Sequence, residues 1–142
     1  MKLLAFFIGF VFATNYQYFN LQVFPDNTLD NLIVDHDHHL TISDLGYADQ
    51  FYFDKNNYLA MGNRVAKIDP TTNVIMFVPV NDPATQTRVF GNYSRILSYG
   101  SDRNITFESC ETGHQIFQLA SQHDNPGCEK WNIQILDVPI AN

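Results

Sequence analysis

Basic residues are scarce in this chain. Eight Lys and Arg stand against fifteen Asp and Glu among 142 residues, so the formal net charge is −7, and the basic residues are scattered along the sequence. Without a basic patch, the counterion release that drives nucleic-acid binding is missing, and anionic membrane surfaces are disfavoured for the same reason. The composition predicts no nucleic-acid partner, and the acidity itself serves solubility.

Familiar catalytic motifs are also missing. The sequence has no Gly-x-Ser-x-Gly nucleophile elbow and no glycine-rich phosphate loop. Carboxylate pairs occur at Asp35 and Asp37 and at Asp44 and Asp49. Because any acidic chain offers such pairs, a secreted hydrolase that uses them is a remote alternative. We expect no enzymatic activity and no cofactor.

A long apolar run occurs only at the N-terminus. Lys2 precedes the run 3–12, which only Gly9 interrupts, and Val11 and Ala13 are small residues placed as in a cleavage site. This arrangement is typical of a secretory signal peptide, and the run is too short to span a bilayer as a helix. We expect residues 1–13 to be a signal peptide and residues 14–142 to form one domain without a membrane span. An N-terminal core strand is the alternative.

Two further features favour secretion. Asn92-Tyr93-Ser94 and Asn104-Ile105-Thr106 are N-glycosylation sequons, and the two cysteines, Cys110 and Cys128, are an even number. We expect glycans on Asn92 and Asn104 and a disulfide between the cysteines. In the loop-entropy model such a bridge restricts the unfolded chain by roughly 3 kcal/mol. Two buried free thiols are the alternative.

Short β-rich segments separated by polar turns make up the rest of the chain. Twelve Phe and seven Tyr against three Met favour strands. An apolar pair, a polar turn and a second apolar pair recur around 35–39, 54–57 and 91–94, which is typical of hairpins. The final segment alternates, with Trp131, Ile133 and Ile135 on one face. About ten strands predict an all-β domain, a β-sandwich or closed β-barrel, with a β-trefoil as the alternative.

The segment 35–39 is rich in titratable side chains, with the sequence Asp-His-Asp-His-His. Imidazole and carboxylate groups bind Zn²⁺ or Cu²⁺, but on a strand only His36 and His38 would share a face. Two ligands make a weak site. We interpret the segment as an exposed hairpin turn, with His36 and His38 as weak candidates and no metal predicted.

Aromatic side chains near the hairpins are candidate sugar contacts. A flat ring matches the C–H face of a pyranose, and a Tyr hydroxyl can form a hydrogen bond. The alternative is that these rings fill the core or its rim. The candidates are Tyr58, Tyr93, Tyr99 and Trp131.

The C-terminal part of the chain resembles a known family. The hairpin 89–100 precedes the motif 107–110, which is Phe-Glu-Ser-Cys, and Gly113, an aromatic strand, Cys128 and the alternating segment follow. This order resembles the C-terminal domain of yeast cell-wall mannoproteins with internal repeats, the PIR family, and related secreted fungal surface proteins. The segment 51–54, Phe-Tyr-Phe-Asp, is similar to the family's aromatic-Asp segment.

The resemblance implies a secreted structural protein of fungal type, associated with the cell wall or cell surface and without enzymatic activity. Its implied partners are wall polysaccharide or wall proteins. The chain lacks the family's glutamine-bearing repeats, so covalent attachment to glucan is not carried over. It also lacks the family's outer cysteines, which agrees with a pairing of Cys110 with Cys128. A soluble carbohydrate-binding module is the alternative function.

Overall fold

The β-rich segments form strands. A computed structural model describes residues 16–24, 31–43, 47–80, 90–100, 107–110, 117–119 and 127–139. Over these ranges the chain is all-β, with twelve strands and no helix, which confirms the predicted fold class. The strands are β1 Phe19–Phe24, β2 Leu32–Val34, β3 Leu40–Ile42, β4 Tyr52–Phe53, β5 Leu59–Met61, β6 Arg64–Ile68, β7 Ile75–Pro79, β8 Phe90–Tyr93, β9 Ile96–Tyr99, β10 Phe107–Cys110, β11 Phe117–Leu119 and β12 Cys128–Asp137.

The strands pair into three antiparallel sheets. One sheet has the order β11-β10-β12-β9-β8 with β1 paired to β12, the second is the meander β4-β5-β6-β7, and the third is the hairpin β2-β3. The ten-residue β12 pairs with β10 through its first four residues and with β1 through its last six. The described pairing includes one four-stranded meander rather than three equivalent units, so it favours the sandwich or barrel over the trefoil.

One apolar core joins the three sheets. Phe51 links β1 to β7, because its ring centroid lies 6.5 Å from that of Phe19 and 5.8 Å from that of Phe77. Full burial of a side chain of this size contributes about 1.5–3 kcal/mol. The core consists of Phe19, Leu21, Val23, Leu32, Leu40, Phe51, Leu59, Ala66, Ile75, Phe77, Phe90, Leu97, Phe107, Ile133 and Ile135.

Three turns share one local device, in which an Asp side chain begins the turn. Asp35 Oδ1 accepts the N–H groups of Asp37 and His39 at 2.9 and 3.0 Å. Asp54 Oδ1 likewise accepts the N–H groups of the residues two and four positions later, and Asp69 Oδ1 accepts the N–H of the residue two positions later. Each turn also contains one residue with a positive φ, a conformation that Asn readily adopts. These residues are His38, Asn57 and Asn73. The predicted turns at 35–39 and 54–57 are therefore present.

The predicted turn at 91–94 is wrong in its position. β8 continues to Tyr93, which pairs with Ile96, so the turn consists of Ser94 and Arg95 alone. Both residues have positive φ, 51° and 71°, as in a type I′ turn, whose twist matches that of the flanking strands.

β6 is a strand that the hydropathy pattern did not reveal. Arg64 and Lys67 interrupt its apolar residues, although Val65 and Ala66 are both buried. Arg64 is held by the neighbouring strand, since its Nη1 donates to the carbonyl oxygen of Phe77 at 3.1 Å.

Candidate functional site

The predicted sites fall in different parts of the chain. The predicted signal peptide, residues 1–13, lies outside the described residues, as do Asp44 and the second sequon at Asn104. Asn92 is exposed on β8, and its Oδ1 accepts a hydrogen bond from the Arg95 N–H at 2.9 Å. The oxygen end of this amide is therefore fixed against the turn. The nitrogen end, Nδ2, is the atom to which an N-linked glycan is attached.

The two cysteines lie opposite each other on neighbouring strands. In the antiparallel register of β10 and β12, Cys110 pairs with Cys128. Directly opposed residues have Cα atoms about 4.5–5.5 Å apart. Disulfide-bonded residues have Cα atoms about 4.4–6.8 Å apart. The register is therefore compatible with the predicted disulfide.

The His-rich segment is the exposed hairpin turn between β2 and β3. The side chain of His36 is 92% exposed, and its Nε2 lies 3.6 Å from the carboxylate of Asp37. His38 occupies the positive-φ position of the turn, with φ of 67°. In the described ranges no three His, Cys, Asp or Glu side chains converge on one metal position.

The four aromatic candidates differ in how open their rings are. The Tyr99 ring centroid lies 4.9 Å from that of Phe90, and Trp131 Nε1 donates to Ser109 Oγ at 2.9 Å. Both rings pack against the core, and Tyr58 is half-buried at the end of the β4–β5 turn. Tyr93 is 45% exposed, so it has the most open ring of the four.

Tyr93 lies at one end of a row of side chains that crosses the large sheet. Tyr93 opposes Ile96, Ile96 opposes Gln134, Gln134 opposes Gln22, and Gln22 opposes Asn31. Directly opposed residues in antiparallel strands share one face of the sheet. At about 4.8 Å between strands, the row is roughly 19 Å long. We call these five residues the cross-strand row.

Hydrogen bonds order the amide groups of the cross-strand row. Gln134 Nε2 donates to Gln22 Oε1 at 3.2 Å, and Gln22 Nε2 donates to Asn31 Oδ1 at 2.8 Å. A primary amide has two donors and two acceptor positions, so each Gln retains hydrogen-bonding capacity beyond this chain. The three amides of the row, on Gln134, Gln22 and Asn31, are therefore a preorganised line of groups that can both donate and accept.

The cross-strand row lies on the outer face of its sheet. The opposite face of β1 and β12 carries the core residues Leu21, Val23, Ile133 and Ile135. Asn20 and Leu136 form the next pair along the outer face, where Leu136 is 40% exposed. Every second residue of four neighbouring segments also lies on this face, namely in 20–22, 91–93, 96–98 and 132–136. The described side chains at these positions are all uncharged.

Two of the three described carboxylates of the candidate acidic pairs bind backbone groups. Asp35 caps its turn, and Asp49 Oδ2 accepts the N–H of Val34 at 2.7 Å. Asp37 is exposed beside His36. These contacts are structural, and they give no support to the hydrolase alternative.

The sequence contains only part of the signal for the cross-strand row. The sequence alone predicts that Asn132, Gln134 and Leu136 share one face of the final strand. Their partners are not, because Gln134 and Gln22 are separated by 112 residues.

No protein-family model, curated protein or solved structure matches this chain. Among the described residues, no helix has the length and hydropathy needed to cross a bilayer.

Proposed function

We propose that this chain is a secreted structural protein of fungal type that associates with the cell wall or cell surface and holds neutral polysaccharide on its cross-strand row. The observation that carries the proposal is the row itself, in which Ile96 separates an ordered line of three amides from the exposed ring of Tyr93. The proposal assigns the protein no enzymatic activity.

The chemistry of the row suits a sugar chain. Sugar hydroxyls both donate and accept hydrogen bonds, and the amides of Gln22 and Gln134 do the same. The Tyr93 ring can stack on the C–H face of a pyranose. The side chains of the row are uncharged and lose no ionic hydration on contact, and the net charge of −7 disfavours acidic polysaccharides. A neutral polysaccharide is therefore the best match.

Secretion and wall association rest on the sequence. The predicted signal peptide, the two sequons and the resemblance to fungal wall proteins support an extracellular location. Because the glutamine-bearing repeats of that family are missing, the attachment proposed here is non-covalent. The predicted Cys110–Cys128 disulfide belongs to the same proposal, and the opposed positions of the two residues support it.

Binding to an insoluble neutral glucan tests the role of the row. We expect the full chain to sediment with β-1,3-glucan particles and the variants Gln134→Glu and Tyr93→Ala to bind at least about fivefold more weakly, the loss expected for one hydrogen bond or one ring contact. Asn56→Asp is the matched control, because it makes the same amide-to-acid change at an exposed turn on another sheet. Equal binding by all four proteins would contradict the role of the row.

A soluble carbohydrate-binding module is the second candidate, and the exposure of Tyr93 favours it equally. The two candidates differ in where the protein resides. Tagged protein in the wall fraction, released by glucanase, supports the structural role, whereas protein free in the medium supports the module. Protein confined to the cytosol would contradict both.

A further inference from the structure

A small apolar cavity lies where the β4–β5 hairpin meets β8. Its volume is about 310 Å³, and it is lined by Phe53, Asn57, Phe90, Gly91 and Asn92. This size is at the lower end of the range for ligand pockets, which suits one sugar ring better than an oligosaccharide. One of the lining residues, Asn92, is also the acceptor of the first predicted sequon.

The side chain of Asn92 is held in a defined position at this cavity. Asn92 is exposed, and its Oδ1 accepts a hydrogen bond from the Arg95 N–H at 2.9 Å. A glycan on Nδ2 would begin at the wall of the cavity. Attachment replaces one Nδ2 hydrogen by the anomeric carbon of the sugar, with a polyprenyl diphosphate as the leaving group and the proton lost to solvent.

We propose that the first N-acetylglucosamine of a glycan on Asn92 folds back into this cavity and packs on Phe53. The sugar then bridges the β4–β7 meander and the β8–β9 hairpin. This inference rests on the secretion that the proposed function includes, but it concerns a different surface from the cross-strand row.

The lining of the cavity suits this occupant. Phe53 is half-buried, so its ring can receive the C–H face and the acetyl methyl group of the sugar. Asn57 adds an amide that can donate to or accept from a sugar hydroxyl. Because the sugar is tethered at the wall, its effective concentration in the cavity is high, and weak contacts suffice to hold it.

Thermal unfolding of defined glycoforms tests this inference. The full chain carrying Asn104→Gln, which leaves Asn92 as the one sequon, is secreted from yeast, and occupancy is measured by mass spectrometry. Three forms are compared: the full glycan, the glycan trimmed to one N-acetylglucosamine, and the Ser94→Ala variant, which removes the sequon but keeps Asn92. We expect the first two to unfold at the same temperature and the third roughly 3–6 °C lower.

A second comparison isolates the cavity. In a Phe53→Leu background, we expect the difference in unfolding temperature between the single-sugar form and Ser94→Ala to fall by at least about half. This decrease is the coupling between Phe53 and the sugar that a double-mutant cycle measures. The same sequences produced without glycan in bacteria correct for the effect of Ser94→Ala itself.

The outcomes separate this inference from the proposed function. An unoccupied Asn92, equal unfolding temperatures with and without the single sugar, or an undiminished difference in Phe53→Leu would each overturn it. Glucan sedimentation of the same preparations reports on the cross-strand row. Loss of glucan binding with an intact sugar effect would contradict the proposed function alone.

Discussion

The carboxylate of Asp49 binds the backbone of Val34: Oδ2 accepts the N–H of that residue at 2.7 Å. The carbonyl oxygen of Asp49 accepts a second hydrogen bond, from Asn20 Nδ2 at 3.1 Å. One residue thus connects β1, which belongs to the large sheet, with β2 of the small hairpin. A hydrogen bond from an N–H to a carboxylate is stronger than one between neutral groups.

Removal of the Asp49 carboxylate should destabilise the fold. We expect Asp49→Ala to lower the free energy of unfolding by about 1–2 kcal/mol, because the N–H of Val34 loses its acceptor. Asp49→Asn keeps a side-chain oxygen and should lose less. Urea denaturation measures both. Asp37→Ala is the control, since Asp37 is exposed and its carboxylate lies only near His36. Equal losses in Asp49→Ala and Asp37→Ala would contradict this account.

Replacement of His38 by glycine should stabilise the protein. His38 has a φ of 67°, which is strained for a His residue and which glycine adopts freely. We expect His38→Gly to raise the free energy of unfolding by about 0.5–1 kcal/mol, measured by urea denaturation. His36→Gly is the control, because His36 lacks positive φ and should gain nothing. A loss of stability in His38→Gly would instead assign the imidazole a structural or ligand-binding role.

Local signals in the sequence were enough to predict much of this fold. The turns that begin at Asp35 and Asp54 are set by side-chain contacts within four residues, so their positions were predictable. Ile133 and Ile135 alternate with polar residues and share one face of β12 as predicted, and the structure shows that both are buried. In these places the residues that determine the structure are close together in the sequence.

Pairing between distant segments could not be predicted in the same way. The cross-strand row needs the register of β1 on β12 and of β12 on β9, and no local pattern contains either. The prediction of a turn at 91–94 is wrong for a related reason. Gly91 and Asn92 are common in turns, but the positive φ angles occur at Ser94 and Arg95, which have weaker turn preferences.

Tyr52 should make the fold less stable as the pH rises in the alkaline range. Its ring stacks on Tyr16 with centroids 4.6 Å apart, and its hydroxyl donates to the carbonyl oxygen of Gly62 at 2.5 Å. Burial raises the pKa of Tyr52 above 10.0, and the neighbouring Tyr16, Tyr18 and Asp54 raise it further. A pKa raised on folding adds stability that is complete below pH 10 and is lost as the pH rises through the folded-state value.

Substitution of Tyr52 by Phe should remove this contribution. We expect Tyr52→Phe to lower the free energy of unfolding by about 1 kcal/mol at neutral pH, because the hydrogen bond to Gly62 is lost. Above pH 10 the difference from the parent protein should shrink. Urea denaturation across this range and ultraviolet titration of tyrosinate measure the two effects. Tyr47, which is 69% exposed, provides the control Tyr47→Phe, and the same pH profile in both variants would contradict the prediction.

The disulfide is the prediction with the largest expected effect on stability. Cys110 and Cys128 are directly opposed in register, and the bridge would close the segment 110–128, which includes β11. We expect Cys128→Ser to lower the free energy of unfolding by about 2–4 kcal/mol, because the unfolded chain regains the entropy that the bridge removes. A non-reduced digest should yield one peptide pair that contains both residues.

Reduction of the parent protein provides the control for this prediction. If the bridge stabilises the fold, reductant should lower the stability of the parent to that of Cys128→Ser and leave the variant unchanged. The double variant Cys110→Ser/Cys128→Ser should match the single one, since either substitution alone breaks the same bond. Two thiols that react with an alkylating agent in the unfolded, non-reduced protein would show that the opposed cysteines are not bonded. The stability of this part of the sheet would then come from strand pairing and from the packing of Phe107 and Trp131 alone.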